Sequence, residues 1–150
     1  MIEILVVLAI VAILALMAVP SLFPIKARAQ IIESIELAEK LQPGIEAIYV
    51  ISHKFPRDNK QANLPEPEHL IGNFVETITL KDGALHLELG NKIIKPLEGQ
   101  TLSILPITVV DSPESPISWV CGYSGIPEGM QAMGENKTSI KREFLPINCR

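Results

Sequence analysis

The chain begins with one long apolar run. Residues 1–23 contain a single charged residue, Glu3, and a single uncharged polar one, Ser21, and the next charge is Lys26. About 20 consecutive apolar residues are enough for a helix to cross the hydrocarbon core of a bilayer. The pattern therefore predicts a single-pass transmembrane helix over residues 1–24.

Glu3 is the unusual residue of this run. A carboxylate inside a membrane-length apolar stretch is costly, so it indicates a function and a cationic partner. A plain membrane anchor with Glu3 at the wet interface is an alternative. A cleaved secretory signal fits less well because no basic residue precedes the run. A buried core helix fits poorly because the rest of the chain is too short to surround it.

The next segment, residues 25–52, keeps a helical pattern but becomes amphipathic. Apolar residues recur at spacings of three and four, the stripe of a helix that packs on one face: Ile31, Ile35, Ala38, Leu41, Ile45 and Ile48. One long helix is therefore predicted from about Ile2 to about Ser52. Pro20 and the Pro43-Gly44 pair should kink or loosen it, since proline removes a helical hydrogen bond.

In the second half of the chain, the spacing of apolar residues changes from the helical repeat of 3.6 residues to the two-residue alternation of a β-strand. After a polar loop over residues 53–72, a sheet is predicted over residues 73–121, with strands at 74–80, 84–89, 100–110 and 117–121. Asp82-Gly83 indicates a hairpin turn between the first two strands. Pro106 should break or bulge the third strand, and His86 is out of phase with its leucine neighbours, which predicts a solvent-facing side chain.

These elements predict an α+β fold. The long helix, apolar in its first half and amphipathic in its second, should pack on a roughly four-stranded antiparallel sheet. Residues 25–150 are long enough for one modest globular domain. Its two cysteines, Cys121 and Cys149, should form a disulfide that bounds the irregular region 121–149, if the domain is exported. Two free cytosolic thiols are the alternative.

Charge and side-chain chemistry indicate a non-enzymatic protein. The net charge of −4 gives the whole molecule no attraction to nucleic acid. The three histidines are isolated, and no nucleophile, metal-ligand or cofactor motif is present, so we expect no catalytic site, metal or cofactor. A locally basic tail, with Lys137, Lys141 and Arg142, could contact DNA phosphates or an acidic host surface; a solvated loop is the simpler interpretation.

Several features together resemble a known family. They are the apolar helix with an acid near its start, Pro20 placed 17 residues after Glu3, and Ala27-Arg28-Ala29-Gln30 beyond the apolar run. Short motifs similar to those of the family's globular domain follow in the same order: Phe55-Pro56, Gly72-Asn73-Phe74-Val75, Gly99-Gln100-Thr101-Leu102, Trp119-Val120-Cys121-Gly122 and Leu145-Pro146-Ile147-Asn148-Cys149-Arg150. The chain is similar over nearly its whole length to bacterial type IV pilins of the short-leader class (type IVa), and in particular to major pilins.

This resemblance implies how the chain is processed and assembled. Such pilins are held in the inner membrane by the apolar helix, clipped by a prepilin peptidase, N-methylated, and added by the inner-membrane assembly machinery to a helical homopolymer. Residues 1–24 would form the fibre core. Glu3 corresponds to the acid that neutralises a neighbouring subunit's N-terminal ammonium, and Pro20 to the proline of that helix. The fibre would serve adhesion, twitching motility or DNA uptake.

Three other functions stay open at this point. The chain could be a minor pilin that primes the fibre or binds DNA or a surface, a pseudopilin of type II secretion, or a membrane-anchored periplasmic binding module. One departure concerns the start, because Met1 stands where pilins have two further residues preceded by a glycine. We expect a truncated N-terminus, with the processing site outside this sequence.

Overall fold

The computed structural model describes residues 1–18 and 22–150. Three helices open the chain: α1 (Ile2–Ala18), α2 (Leu22–Glu39) and α3 (Gln42–Ser52). The predicted kink at Pro43-Gly44 is a complete break, since residues 40 and 41 form a turn in which the Leu41 N–H donates to the Ala38 carbonyl. Pro43 lies in the first turn of α3, where its missing N–H removes no helical hydrogen bond. Pro20 lies outside the described residues.

The membrane-spanning prediction can be compared with these helices. Within residues 1–18 and 22–150, no helix combines the length and the apolarity that crossing a membrane requires. The predicted span over residues 1–24 includes residues 19–21, which lie outside the described residues.

The sheet is antiparallel and has one strand more than predicted. Its order is β1-β2-β3-β4, with a further strand, β5, paired to the far end of β3. The bounds are β1 (Val75–Lys81), β2 (Ala84–Leu89), β3 (Thr101–Val109), β4 (Ser118–Cys121) and β5 (Met130–Ala132). The sequence did not reveal β5, because three residues are too few to show an alternation.

The predicted interruption at Pro106 is wrong, because β3 runs through it. The Pro106 carbonyl accepts a hydrogen bond from Met133 N–H at 2.9 Å, on the side of β5. On that side the pairing with β2 ends at Ile104 and the pairing with β5 begins at Ile107. The proline nitrogen therefore lies between the hydrogen-bond ladder to β2 and the one to β5. No strand pairing requires an N–H donor at this position.

The core lies between helices α2 and α3 and one face of the sheet. The predicted stripe is confirmed, since Ile31, Ala38 and Ile45 are fully buried and its other members are half-buried against the same core. The sheet contributes fully buried leucines at alternate positions of β2: Leu85, Leu87 and Leu89. The predicted disulfide between Cys121 and Cys149 is present and joins the end of β4 to the last turn of the chain.

His86 is not on the solvent face, contrary to the prediction. Its side chain is 7% exposed because the C-terminal segment lies against this face of the sheet. Ser103 is the residue of β3 opposite His86, and Lys137 N–H donates to its hydroxyl at 2.8 Å. Alternation correctly placed His86 opposite the leucines but could not reveal a covering segment fifty residues away.

Candidate assembly surface

Helix α1 presents apolar side chains to solvent on every side. All of residues 1–16 are exposed, and large aliphatic side chains such as Leu5 and Leu14 retain 66% and 62% of their accessible surface. A helix that is hydrophobic all round is normally buried, and an exposed apolar surface of this extent marks a site of contact with another apolar body. The surface of α1 is therefore suited to contact with another apolar body.

Glu3 is the only charged side chain on this helix. It lies exposed in the first turn of α1, where the partial positive charge of the helix N-terminus favours a carboxylate. In the part of the chain that the structure describes, Glu3 takes part in no ion pair.

Helix α2 carries a second exposed apolar surface. Leu22, Ile25 and Ile32 are 64%, 61% and 45% exposed, and they lie on the face opposite the buried row of Ala27, Ile31 and Ala38. This outer row escaped the sequence interpretation, which followed only the stripe that packs on the sheet. The sequence does contain this second row, because the three residues are separated by three and by seven positions, which are helical spacings.

The disulfide-bounded region is held against α2 by two contacts. Arg28 Nη2 donates to the Glu143 carbonyl at 3.0 Å, and the rings of Phe23 and Phe144 meet edge to face with centroids 5.4 Å apart. These contacts, which the sequence did not indicate, fix the C-terminal region relative to the start of the helix.

A third contact ties the sheet to α3. Trp119 Nε1–H on β4 donates to the Glu46 carboxylate at 2.7 Å. With it, α2 is joined to the region that the Cys121–Cys149 disulfide closes, and α3 is joined to strand β4, at which that region begins. The subunit can therefore present the outer row of α2 from a rigid body.

The basic tail is exposed but is not a single patch of free charge. Lys137, Lys141 and Arg142 all face solvent, and the Arg142 guanidinium lies over the Tyr123 ring, 4.7 Å from its centroid. Glu135 and Glu143 lie close along the same segment. Among the described residues, no group of three or more His, Cys, Asp or Glu side chains is arranged to hold a metal ion.

Comparison with known proteins gives this geometry its context. Residues 27–150 match the family model described as pilin, a bacterial filament. The whole chain is 29% identical to a type IV major pilin protein PilE1 of Neisseria gonorrhoeae, covering 84% of that protein. It is also 26% identical over its whole length to a fimbrial protein of Neisseria meningitidis serogroup B, covering 91% of it. The resemblance read from the sequence is confirmed, and the chain belongs to the pilin family of bacterial filament proteins.

Proposed function

We propose that this chain is the repeating structural subunit of a type IV pilus and that it polymerises through α1. The observation that carries the proposal is the helix itself, apolar and exposed around its whole circumference with one carboxylate in its first turn. Copies of α1 packed together would bury this surface, which is the main favourable term in protein association. The outer row of α2 would extend the same contact.

Glu3 would set the register of assembly. In a bundle of apolar helices an unpaired carboxylate is strongly unfavourable, whereas a carboxylate paired with an ammonium is tolerated. The N-terminal ammonium of a neighbouring subunit is a cation at a matching depth in such a bundle. A subunit added at another height would leave both charges buried and unpaired, so the pair would select one position.

The steps before assembly belong to the same proposal. The apolar sequence over residues 1–23 supports storage in the inner membrane, with residues 1–24 as the later fibre core and residues 25–150 as the globular domain. A prepilin peptidase and the inner-membrane assembly machinery would process, N-methylate and extract the subunit. Pro20 would allow the helix to bend or loosen between these environments.

The task of the fibre is the last part of the proposal. Adhesion, twitching motility and DNA uptake all fit a surface filament, and the exposed cations Lys137, Lys141 and Arg142 would be the contacts for DNA or an acidic surface. The disulfide, together with relatives named as major pilins, favours a major pilin over a secretion pseudopilin.

The role of Glu3 can be tested by Glu3→Ala in the native host. We expect the globular domain to remain folded and surface fibres to be lost or strongly reduced, as measured by electron microscopy and by the pilin content of a sheared-fibre fraction. Glu68→Ala, which removes an exposed acid from a loop turn, is the matched control and should leave fibres unchanged. Normal fibres from the Glu3 variant at normal abundance would contradict the proposed pairing.

A further inference from the structure

Residues 135–139 form a polar segment that runs along the first residues of β3, and we call it the strap. It contains no apolar residue, and none of its side chains is buried. Hydrogen bonds tie it to β3: Ser103 N–H donates to Thr138 Oγ1 at 3.0 Å, Thr101 N–H donates to Ser139 Oγ at 2.9 Å, and Ser139 N–H donates to the Thr101 carbonyl at 3.0 Å. Segments with little apolar burial open at a lower free energy than the core.

The other contacts of the strap are hydrogen bonds as well. The Tyr123 hydroxyl donates to the Thr138 carbonyl at 2.9 Å, and the Asn136 amide donates to the Gly122 carbonyl. Water can replace such bonds when the strap moves away. Local opening therefore exposes no apolar side chain of the strap itself.

The Ser103 hydroxyl connects the strap to His86. Ser103 is fully buried, its hydroxyl accepts the Lys137 N–H at 2.8 Å, and it lies 2.9 Å from His86 Nδ1. In the described part of the chain, Nδ1 is the acceptor within reach of the hydroxyl proton. A neutral imidazole therefore accepts this proton at Nδ1, and the strap N–H, the hydroxyl and Nδ1 are all paired.

Protonation of His86 breaks this arrangement. Both nitrogens of an imidazolium are donors, so Nδ1 can no longer accept the Ser103 hydroxyl proton. That proton is then left without an acceptor at a fully buried position, which is unfavourable. The closed strap also holds the new positive charge away from water, since His86 is 7% exposed.

The charges around His86 act in the same direction. Burial and then the nearby ammonium of Lys137 lower the pKa of His86; Lys81 adds to this effect and Glu135 opposes it. Glu88, two residues further along the same strand, is exposed to solvent. The closed strap is therefore matched to the neutral imidazole.

We propose that His86 is an acid-sensitive switch whose protonation releases the strap from β3. In the open state water reaches the imidazolium and the Ser103 hydroxyl, and the backbone N–H groups of Thr101 and Ser103 lose their strap partners. The inference does not depend on the proposed filament function, since it concerns opening within one subunit.

The size of the effect follows from the uptake of one proton. With the strap open, His86 should titrate near its ordinary pKa of about 6.5, and with the strap closed its pKa is lower. Between these two values the population of the open strap should rise by up to about tenfold for each unit by which the pH falls. Above about pH 7 it should not change.

The experiment is amide hydrogen exchange, followed by NMR, of the full chain in neutral detergent micelles between about pH 7.5 and 5.5. Each rate is divided by the intrinsic rate at the same pH. The amides of Lys137 and Ser139 report the strap, and the amide of Leu89, which donates to the Gln100 carbonyl at 2.8 Å, reports the sheet. We expect the strap amides to be less protected than Leu89 throughout, and to lose protection below about pH 6.5.

Two variants assign the change to His86. His86→Gln cannot take up a proton, so the protection of its strap amides should not vary with pH. His69→Gln, at an exposed histidine of a loop turn, is the matched control and should keep the wild-type pH dependence.

Three results would overturn the proposal. The first is constant protection of the wild-type strap over the whole pH range, which decides the matter without any variant. The second is a loss of protection that persists in His86→Gln. The third is equal protection of Ser139 and Leu89 in acid, because the whole domain rather than the strap would then be opening.

Discussion

Asn59 shows how one side chain holds a long loop to the sheet. It is almost fully buried, its amide donates to the carbonyls of Pro65 and Ile78, and its oxygen accepts the Leu80 N–H at 2.7 Å. Ile78 and Leu80 belong to the edge strand β1, so Asn59 occupies backbone groups that would otherwise be open on that edge. The polar loop read from the sequence is therefore an ordered part of the fold.

Replacement of this side chain should be costly. Asn59→Ala leaves one N–H and two carbonyls without their partner, and a loss of about 2–4 kcal/mol in the free energy of unfolding is expected, since each unsatisfied buried group costs about 1–3 kcal/mol. Chemical denaturation followed by circular dichroism measures it. Lys60→Ala, at the exposed neighbouring position, should change stability little. Equal stability of the two variants would show that Asn59 is dispensable.

His86 should make stability depend on pH. Its pKa lies below the ordinary value of 6.5, chiefly through burial and then through Lys137, so the unfolded chain binds a proton more readily than the folded one. Its contribution to stability is therefore complete above about pH 6.5, the unfolded pKa, and is lost as the pH falls below it.

The measurement compares the wild type with His86→Gln between pH 8 and pH 5. Other groups also titrate in this range, so the difference between the two denaturation midpoints is the informative quantity. We expect the wild type to lose stability relative to the variant as the medium becomes more acidic. A difference that stays constant with pH would remove His86 as the titrating group.

At the scale of elements, short sequence motifs predicted those features that depend only on neighbouring residues. The Asp82-Gly83 turn is formed as predicted, with positive φ at both residues and Lys81 paired with Ala84. The prediction at Pro106 failed because a strand tolerates proline wherever no neighbouring strand needs a hydrogen bond from that backbone nitrogen, and the sequence does not show which strand lies there. That neighbour is set by the ends of two other strands, β2 and β5.

The turn after β4 depends on a glycine. Gly122 has φ of +60°, and a Cβ there would collide with the Cys149 carbonyl, which accepts the Tyr123 N–H at 2.9 Å. Gly122→Ala should therefore destabilise the protein by about 2–4 kcal/mol, from backbone strain plus displacement of the C-terminal turn.

Gly125 is the matched control for this variant. It lies three residues further along, and a Cβ there would meet nothing within 4 Å. Gly125→Ala should be close to neutral, within about 0.5 kcal/mol. Denaturation of both variants with the disulfide intact decides between them, and similar losses would mean that the close approach at Gly122 is not limiting.

For the whole molecule, the decisive feature is the division of α2 into two apolar faces. One face packs on the sheet and stabilises the subunit, while the outer row remains exposed. Stability and assembly should therefore be separable by substitutions on the same helix.

Ile25→Glu tests this separation. The side chain is 61% exposed, so the subunit should keep its unfolding free energy within about 0.5 kcal/mol while fibre yield falls sharply, because the charge would be buried between subunits. Ile71→Glu, at a 58% exposed loop position, is the control and should assemble normally. Wild-type fibre yield from the Ile25 variant would show that the outer row takes no part in assembly.

The sequence by itself determined the helical and strand patterns, the core stripe, the hairpin turn, the disulfide partners and the family, because these depend on periodicity and on short motifs. Tertiary structure alone decided the short strand β5, the contact of Arg28 with Glu143, and the burial of His86. Each of these depends on segments far apart in the chain, and a local pattern carries no record of which distant segment will cover it.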